Sequence, residues 1–63
     1  MIHVPAPDDA VLIAAFLDNH TGWSAFWDKR HGVWRVAEDD PRSDLYDENP
    51  DARTVIAYAA AHS

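Results

Sequence analysis

Cysteine is absent from this 63-residue chain, which excludes disulfide bridges, thiolate metal sites and a thiol nucleophile. The only glycines are Gly22 and Gly32, so a glycine-rich phosphate-binding loop is excluded as well. The longest apolar run, Ala10 to Leu17, has eight residues, whereas a helix that spans a bilayer needs about 20. Because the first residues do not combine a basic region with an apolar stretch, we expect no signal peptide and, by default, a cytoplasmic protein.

Positive charge is also scarce. Five Lys and Arg residues stand against eleven Asp and Glu, a net charge of −6. Proteins that bind nucleic acid or anionic membranes neutralise phosphates with basic side chains, so we expect neither ligand. Electrostatic attraction favours a basic protein surface as partner, and the simpler interpretation is that the charge only keeps a small protein soluble. A chain this short allows a single domain, residues 1–63, with a small core.

Two segments have the pattern of amphipathic helices. Asp8 and Asp9 precede apolar residues at helical spacing, which predicts a helix over about 9–19, before Gly22. Asn49-Pro50-Asp51 has the order of an N-cap, a first-turn proline and an acidic residue, which predicts a second helix over about 50–62. The expected buried stripes are Leu12, Ile13, Phe16 and Leu17 in the first helix and Ala52, Val55, Ile56, Ala59 and Ala60 in the second.

The segment between the helices predicts a β-hairpin. Residues 23–28 and 33–38 are rich in aromatic and β-branched side chains, and they flank a short loop that ends in glycine. A one-residue slip turns a strand over, so the loop length decides which side chains share a face. A four-residue loop with Asp28 opposite Val33 places Phe26 opposite Arg35, a suitable cation–π pair. The other face is then uniformly apolar and holds Trp23, Ala25, Trp27, Trp34 and Val36.

These elements predict an α+β fold of helix, two-stranded antiparallel hairpin and helix. A lone hairpin is marginally stable, so both helices are expected on its apolar face. Pro5 and Pro7 leave room for at most a short N-terminal edge strand at Ile2–Val4. The tryptophans are expected inside this core and not on a stacking platform for single-stranded nucleic acid.

The candidate catalytic and metal-binding patterns are incomplete. Residues 47–51 space oxygen ligands as an EF-hand loop begins, but Ala52 stands where glycine is needed and Tyr58 where glutamate is needed. The four histidines form no short-spaced pair. The adjacent carboxylates Asp39 and Asp40 lie in a segment expected to be solvated, which does not separate their pKa values. We therefore expect no enzymatic activity, no cofactor and no metal site.

The acidic segment 38–49, expected to be an irregular loop, is the best candidate for a functional surface. Seven of the fourteen residues from 38 to 51 are carboxylates, with Arg42 as the only base. Leu45 and Tyr46 lie inside it; they either anchor a basic partner or fold back over the core. The leading hypothesis is a non-enzymatic protein-binding module that regulates or inhibits a basic partner, for example a nucleic-acid-binding protein. The candidate contact residues are Glu38, Asp39, Asp40, Asp44, Leu45, Tyr46, Asp47, Glu48, Phe26 and Arg35.

Two alternatives belong to other functional classes. The first is a self-associating accessory protein, a homodimer formed through a strand edge or the alanine-rich face of the last helix. The second, more remote, is a metal-binding protein. Eleven alanines, four arginines and a single lysine are typical of a GC-rich genome, such as that of an actinobacterium or its phage.

Overall fold

A computed structural model describes residues 4–63, which form two helices and a three-stranded sheet. In chain order these are α1 (Pro7–Asn19), β1 (Trp23–Asp28), β2 (Val33–Glu38), β3 (Tyr46–Asn49) and α2 (Ala52–Ala61). The sheet is antiparallel with the order β1-β2-β3. The α+β class predicted from the sequence is confirmed, and the predicted number of strands is wrong by one. The expected strand at Ile2–Val4 falls mainly on residues outside the described range, and Val4 belongs to no strand.

Helix α1 begins two residues earlier than predicted. Pro7 opens the helix because its fixed φ suits the first helical turn, where its missing N–H is not needed. Asp8 and Asp9 then lie in the first turn, where their charge interacts favourably with the helix dipole. The helix ends at Asn19 as predicted, and Gly22, with a φ of 96°, turns the chain into β1.

Helix α2 begins at Ala52, two residues later than predicted. Its N-cap is Asp51, whose carboxylate accepts a hydrogen bond from the Arg53 amide at 3.0 Å. The expected cap, Asn49, instead accepts a hydrogen bond from the Asp51 amide at 2.8 Å. This Asx turn keeps the chain extended through Pro50 before the helix can start.

The register of the β1–β2 hairpin is the predicted one. Asp28 pairs with Val33 across a four-residue loop, and Phe26 pairs with Arg35. Gly32 has a φ of 67°, a left-handed conformation that glycine adopts without steric cost. The apolar face of the hairpin is therefore the one that packs against the helices.

The third strand, β3, replaces the last part of the predicted acidic loop. Arg35 pairs with Glu48 and Ala37 with Tyr46. The sequence of β3 is Tyr-Asp-Glu-Asn, and Asp and Asn are depleted in strands, so the segment does not predict a strand by propensity. It forms one because the outer edge of β2 needs hydrogen-bond partners, and Tyr46–Asn49 supplies them.

One apolar core joins the sheet to both helices. Ala52, Val55 and Ala59 are fully buried, whereas Ala60, expected in the same stripe, is exposed. The Trp27 and Trp34 rings meet edge to face, with centroids 5.4 Å apart. Each large apolar side chain in such a core contributes about 1.5–3 kcal/mol. The buried residues are Ile13, Phe16, Trp23, Trp34, Val36, Ala52, Val55 and Ala59.

Candidate protein-binding surface

The sheet face that points away from the helices carries a cluster of ion pairs centred on Asp28 and Arg35. Side chains alternate along each strand, so this open face holds Ser24, Phe26, Asp28, Val33, Arg35, Ala37, Tyr46 and Glu48. Phe26 is 58% exposed and Tyr46 is 44% exposed. Two aromatic rings are thus presented to solvent on a surface that neither helix covers.

Arg35 lies at the centre of the open face and binds two carboxylates. Its Nε donates to Oδ2 of Asp28 at 2.9 Å, and its Nη1 lies 2.7 Å from Oε2 of Glu48. Nη1 also donates to the hydroxyl of Tyr46. The hydrogen bond to Asp28 is the main reason that the pKa of Arg35 is raised. The predicted cross-strand neighbour, Phe26, is confirmed, but the guanidinium contacts these three side chains and makes no cation–π pair with Phe26.

Asp28 connects this cluster to the hairpin loop. Its Oδ1 accepts hydrogen bonds from the amides of Arg30 and His31, at 3.0 and 3.2 Å. Its Oδ2 lies 2.8 Å from Nδ1 of His31. These hydrogen bonds, with the His31 side chain first and Arg35 next, hold the pKa of Asp28 well below its usual range. Asp28 therefore fixes both the loop and the direction of the Arg35 side chain.

The loop between β2 and β3 is acidic and locally ordered. Oδ1 of Asp40 accepts hydrogen bonds from the Arg42 amide at 2.9 Å and, more weakly, from its Nε at 3.5 Å. The Ser24 hydroxyl donates to Asp39, which ties the loop to the open face. Asp44 is exposed, and its carboxylate has no ion-pair partner among residues 4–63. We call Asp39, Asp40 and Asp44 the acidic loop.

The structure separates the residues that the sequence groups together. Leu45 is half-buried and packs against the core, whereas its neighbour Tyr46 is exposed on the open face. Asp47 and Glu38 point to the helix side of the sheet because they alternate with open-face residues. The candidate residues on or beside the open face are Phe26, Arg35, Asp39, Asp40, Asp44, Tyr46 and Glu48.

The predicted register places Asp28 and Ser24 on the open face, as observed, but the predicted contact residues do not include them. Asp28 has a detectable signal, because an Asp before a loop commonly accepts hydrogen bonds from amides two residues on. Ser24 has none, since its contact with Asp39 spans fifteen positions. Only the fold brings the side chains of Ser24 and Asp39 together.

Histidines and carboxylates are dispersed over the described part of the chain. His20 and His62 follow the two helices, and each Nδ1 contacts the carbonyl four residues earlier, at 3.0 and 2.7 Å. His31 lies in the hairpin loop, and His3 is outside the described residues. Within residues 4–63, no three His, Asp or Glu side chains come together as a metal site would require.

Two further findings concern the helices and the comparison with known proteins. Among the described residues, neither helix has the length and apolar composition needed to cross a bilayer. Comparison of the chain with protein-family models, with curated proteins and with solved structures gave no match.

Proposed function

We propose that this protein is a small non-enzymatic module that binds a basic protein partner through the open face of the sheet and the adjoining acidic loop. The observation that carries the proposal is the exposure of Phe26 and Tyr46 on a sheet face that neither helix covers, beside a loop whose Asp39 and Asp44 have no ion-pair partner among residues 4–63. Exposed aromatic residues within a polar rim are typical of protein-binding surfaces.

The charge of this surface favours a basic partner. Among residues 4–63, Arg35 is the only base on the open face, and Asp28 and Glu48 both bind it. In the acidic loop, Arg42 contacts Asp40, while Asp44 has no ion-pair partner in the described part of the chain. Negative charge is therefore in excess on both parts of the surface. Complementary charge accelerates association and excludes acidic partners.

The Tyr46 ring is suited to act as the anchor of such an interface. Its hydroxyl accepts a hydrogen bond from Arg35, and its amide donates to the hydroxyl of Tyr58 on α2 at 3.2 Å. Both contacts hold the residue in place before a partner arrives, which lowers the entropic cost of binding. Tyrosine and arginine are also enriched among the residues that dominate binding energies.

A basic partner that normally binds nucleic acid would meet an array of carboxylates in place of phosphates. Inhibition by competition follows from that arrangement, because nucleic acid and this protein would share one basic site. The expected behaviour is displacement of the bound partner by added DNA or RNA, and weaker binding at high salt.

The test compares open-face variants with matched controls in partner capture from the native host. Tyr46→Ser removes the anchor, and Val11→Ser removes an exposed apolar side chain from α1. Asp44→Lys reverses a charge in the acidic loop, and Asp8→Lys makes the same reversal at the far end of α1. We expect capture to fall about tenfold or more for the first member of each pair only.

Two further measurements make this test specific. The captured protein, once identified, is titrated against the labelled chain, and amide shifts are expected to cluster at Phe26, Arg35 and Tyr46. Equal capture by all four variants, or shifts confined to the helix side, would show that the open face is not the binding surface.

A further inference from the structure

A cavity of about 340 Å³ lies at one end of the helix layer, away from the open face. Four parts of the chain meet there: the end of α1, the start of β1, the last residue of β2 and the residue that follows the last turn of α2. Both helices therefore direct their C-terminal ends to the same place, where each contributes a partial negative charge. The lining residues are Asn19, His20, Thr21, Gly22, Trp23, Glu38 and Ser63.

Three of the lining side chains, those of Asn19, His20 and Ser63, already use a hydrogen-bond donor within the helices. Nδ2 of Asn19 donates to the Ala15 carbonyl at 2.9 Å, and the hydroxyl of Ser63 donates to the Ala59 carbonyl at 2.7 Å. Nδ1 of His20 lies 3.0 Å from the Phe16 carbonyl. Because a carbonyl only accepts hydrogen bonds, each of these nitrogens and the hydroxyl must be the donor.

Unused hydrogen-bond acceptors remain on two of these side chains and on Glu38. Asn19 retains its Oδ1, and a neutral imidazole that donates through Nδ1 accepts through Nε2, here that of His20. Glu38 adds a half-buried carboxylate that has no partner within residues 4–63. No Lys or Arg is among the lining residues, and neither helix has a basic residue in its last turn. A ligand that fits must bring positive charge and several N–H donors.

The walls of the cavity also favour an organic cation over a metal ion. Trp23 is 7% exposed, so it adds a small apolar surface to the lining that a short alkyl stem could cover. Glu38 has the single carboxylate side chain among the described lining residues, whereas hard cations such as Ca²⁺ bind six to eight oxygen ligands, usually with several carboxylates. An ammonium group presents three N–H donors on a compact charge, matching Glu38, His20 and Asn19.

We propose that this cavity binds the ammonium end of an alkylamine, either a lysine side chain of a partner or a free polyamine. The site is formed by the helix side of the fold and does not depend on the function proposed for the open face. A variant such as Tyr46→Ser is therefore expected to leave amine binding unchanged.

The test is a titration of the ¹⁵N-labelled chain with n-butylammonium chloride, followed by amide and indole shifts. We expect saturable shifts at Asn19, Gly22 and Trp23, with a Kd in the millimolar range. Glu38→Gln keeps the shape of the side chain and removes its charge, and it is expected to raise the Kd about tenfold. Asp44→Asn removes an exposed carboxylate that does not line the cavity, and it is expected to leave the Kd within about twofold.

Two further ligands, compared with n-butylammonium, separate the contributions of the alkyl stem, the charge and the N–H donors to binding. n-Butanol has the alkyl stem without the charge, and n-butyltrimethylammonium has the charge without N–H donors; both are expected to bind more weakly. An unchanged Kd for Glu38→Gln, or equally tight binding of the trimethylated cation, would overturn the proposal. Nα-acetyl-lysine methylamide is then compared with spermidine, and the tighter ligand identifies a protein side chain or a free polyamine as the source.

Discussion

Replacing Val55 with alanine measures how much of the fold depends on its small core. Val55 is fully buried, and Val11 is 67% exposed on the other helix. The same substitution at both positions removes two methyl groups from a helical residue. It also gives the same small gain in helix propensity, at most about 0.7 kcal/mol, so that gain cancels in the comparison.

The expected difference follows from burial. Each methyl group removed from the core costs about 0.8 kcal/mol of transfer free energy. The cavity left behind adds to this cost because the surroundings relax only partly. Val55→Ala should therefore lose about 2 kcal/mol, and Val11→Ala should be neutral or slightly more stable. A domain of this size has a total unfolding free energy of about 3–9 kcal/mol, so the first variant loses a large share.

Urea denaturation followed by tryptophan fluorescence gives the two free energies, and thermal unfolding gives the midpoints. A loss of 2 kcal/mol corresponds to a fall in Tm of about 8–16 °C for a domain this small. The slope of free energy against urea should not change. If Val55→Ala and Val11→Ala unfold at the same urea concentration, the packing of α2 against the sheet is not as described.

Three other substitutions test two side-chain contacts and one backbone conformation. Asp28→Asn should destabilise the protein at pH 7: a carboxyl whose pKa falls on folding stabilises above its unfolded pKa, near 4, and that stability is lost as pH falls through the lower folded pKa. The difference between wild type and Asp28→Asn in denaturant midpoint should thus narrow from pH 7 to pH 2. Tyr58→Phe should cost about 0.5–1 kcal/mol and accelerate hydrogen exchange at the Tyr46 amide, which loses its acceptor. Gly22→Ala should cost about 1 kcal/mol, seen in the same urea midpoints, although a Cβ there meets no atom within 4 Å, because the positive φ alone disfavours alanine.

The hairpin could be derived from the sequence because its two faces differ strongly. Only an even loop collects Trp23, Trp34 and Val36 on one side, and burial of that side then selects the register. The helices were recoverable for a related reason, since their apolar spacing is strong. Their first residues were not, because α1 starts at Pro7 without a side-chain cap, and the start of α2 at Ala52 depends on whether Asn49 or Asp51 caps the helix.

Strand β3 could not be derived in this way. Its alternation places Asp47 and Asn49 on the helix side, where an apolar residue would have been the signal for a strand. Two long-range contacts hold it, Arg35 with Glu48 and Tyr58 with Tyr46. The two residues of each contact are thirteen and twelve positions apart in the chain, respectively. The spacing of residues in the sequence does not predict such long-range pairs.

The same strand explains why the sheet has one protected edge. The Glu38 amide donates a hydrogen bond to the Leu45 carbonyl, which therefore points towards β2. The Tyr46 amide belongs to the same peptide unit and points the opposite way, out from the edge of β3. The Tyr58 hydroxyl accepts from this outward amide, so a side chain of α2 occupies one of the positions where another strand would pair. An acidic strand with an outward amide already bonded is a poor template for edge-to-edge association. The exposed rings of Phe26 and Tyr46 thus lie on the face of the sheet, and the basic partner that we propose would approach them across carboxylates.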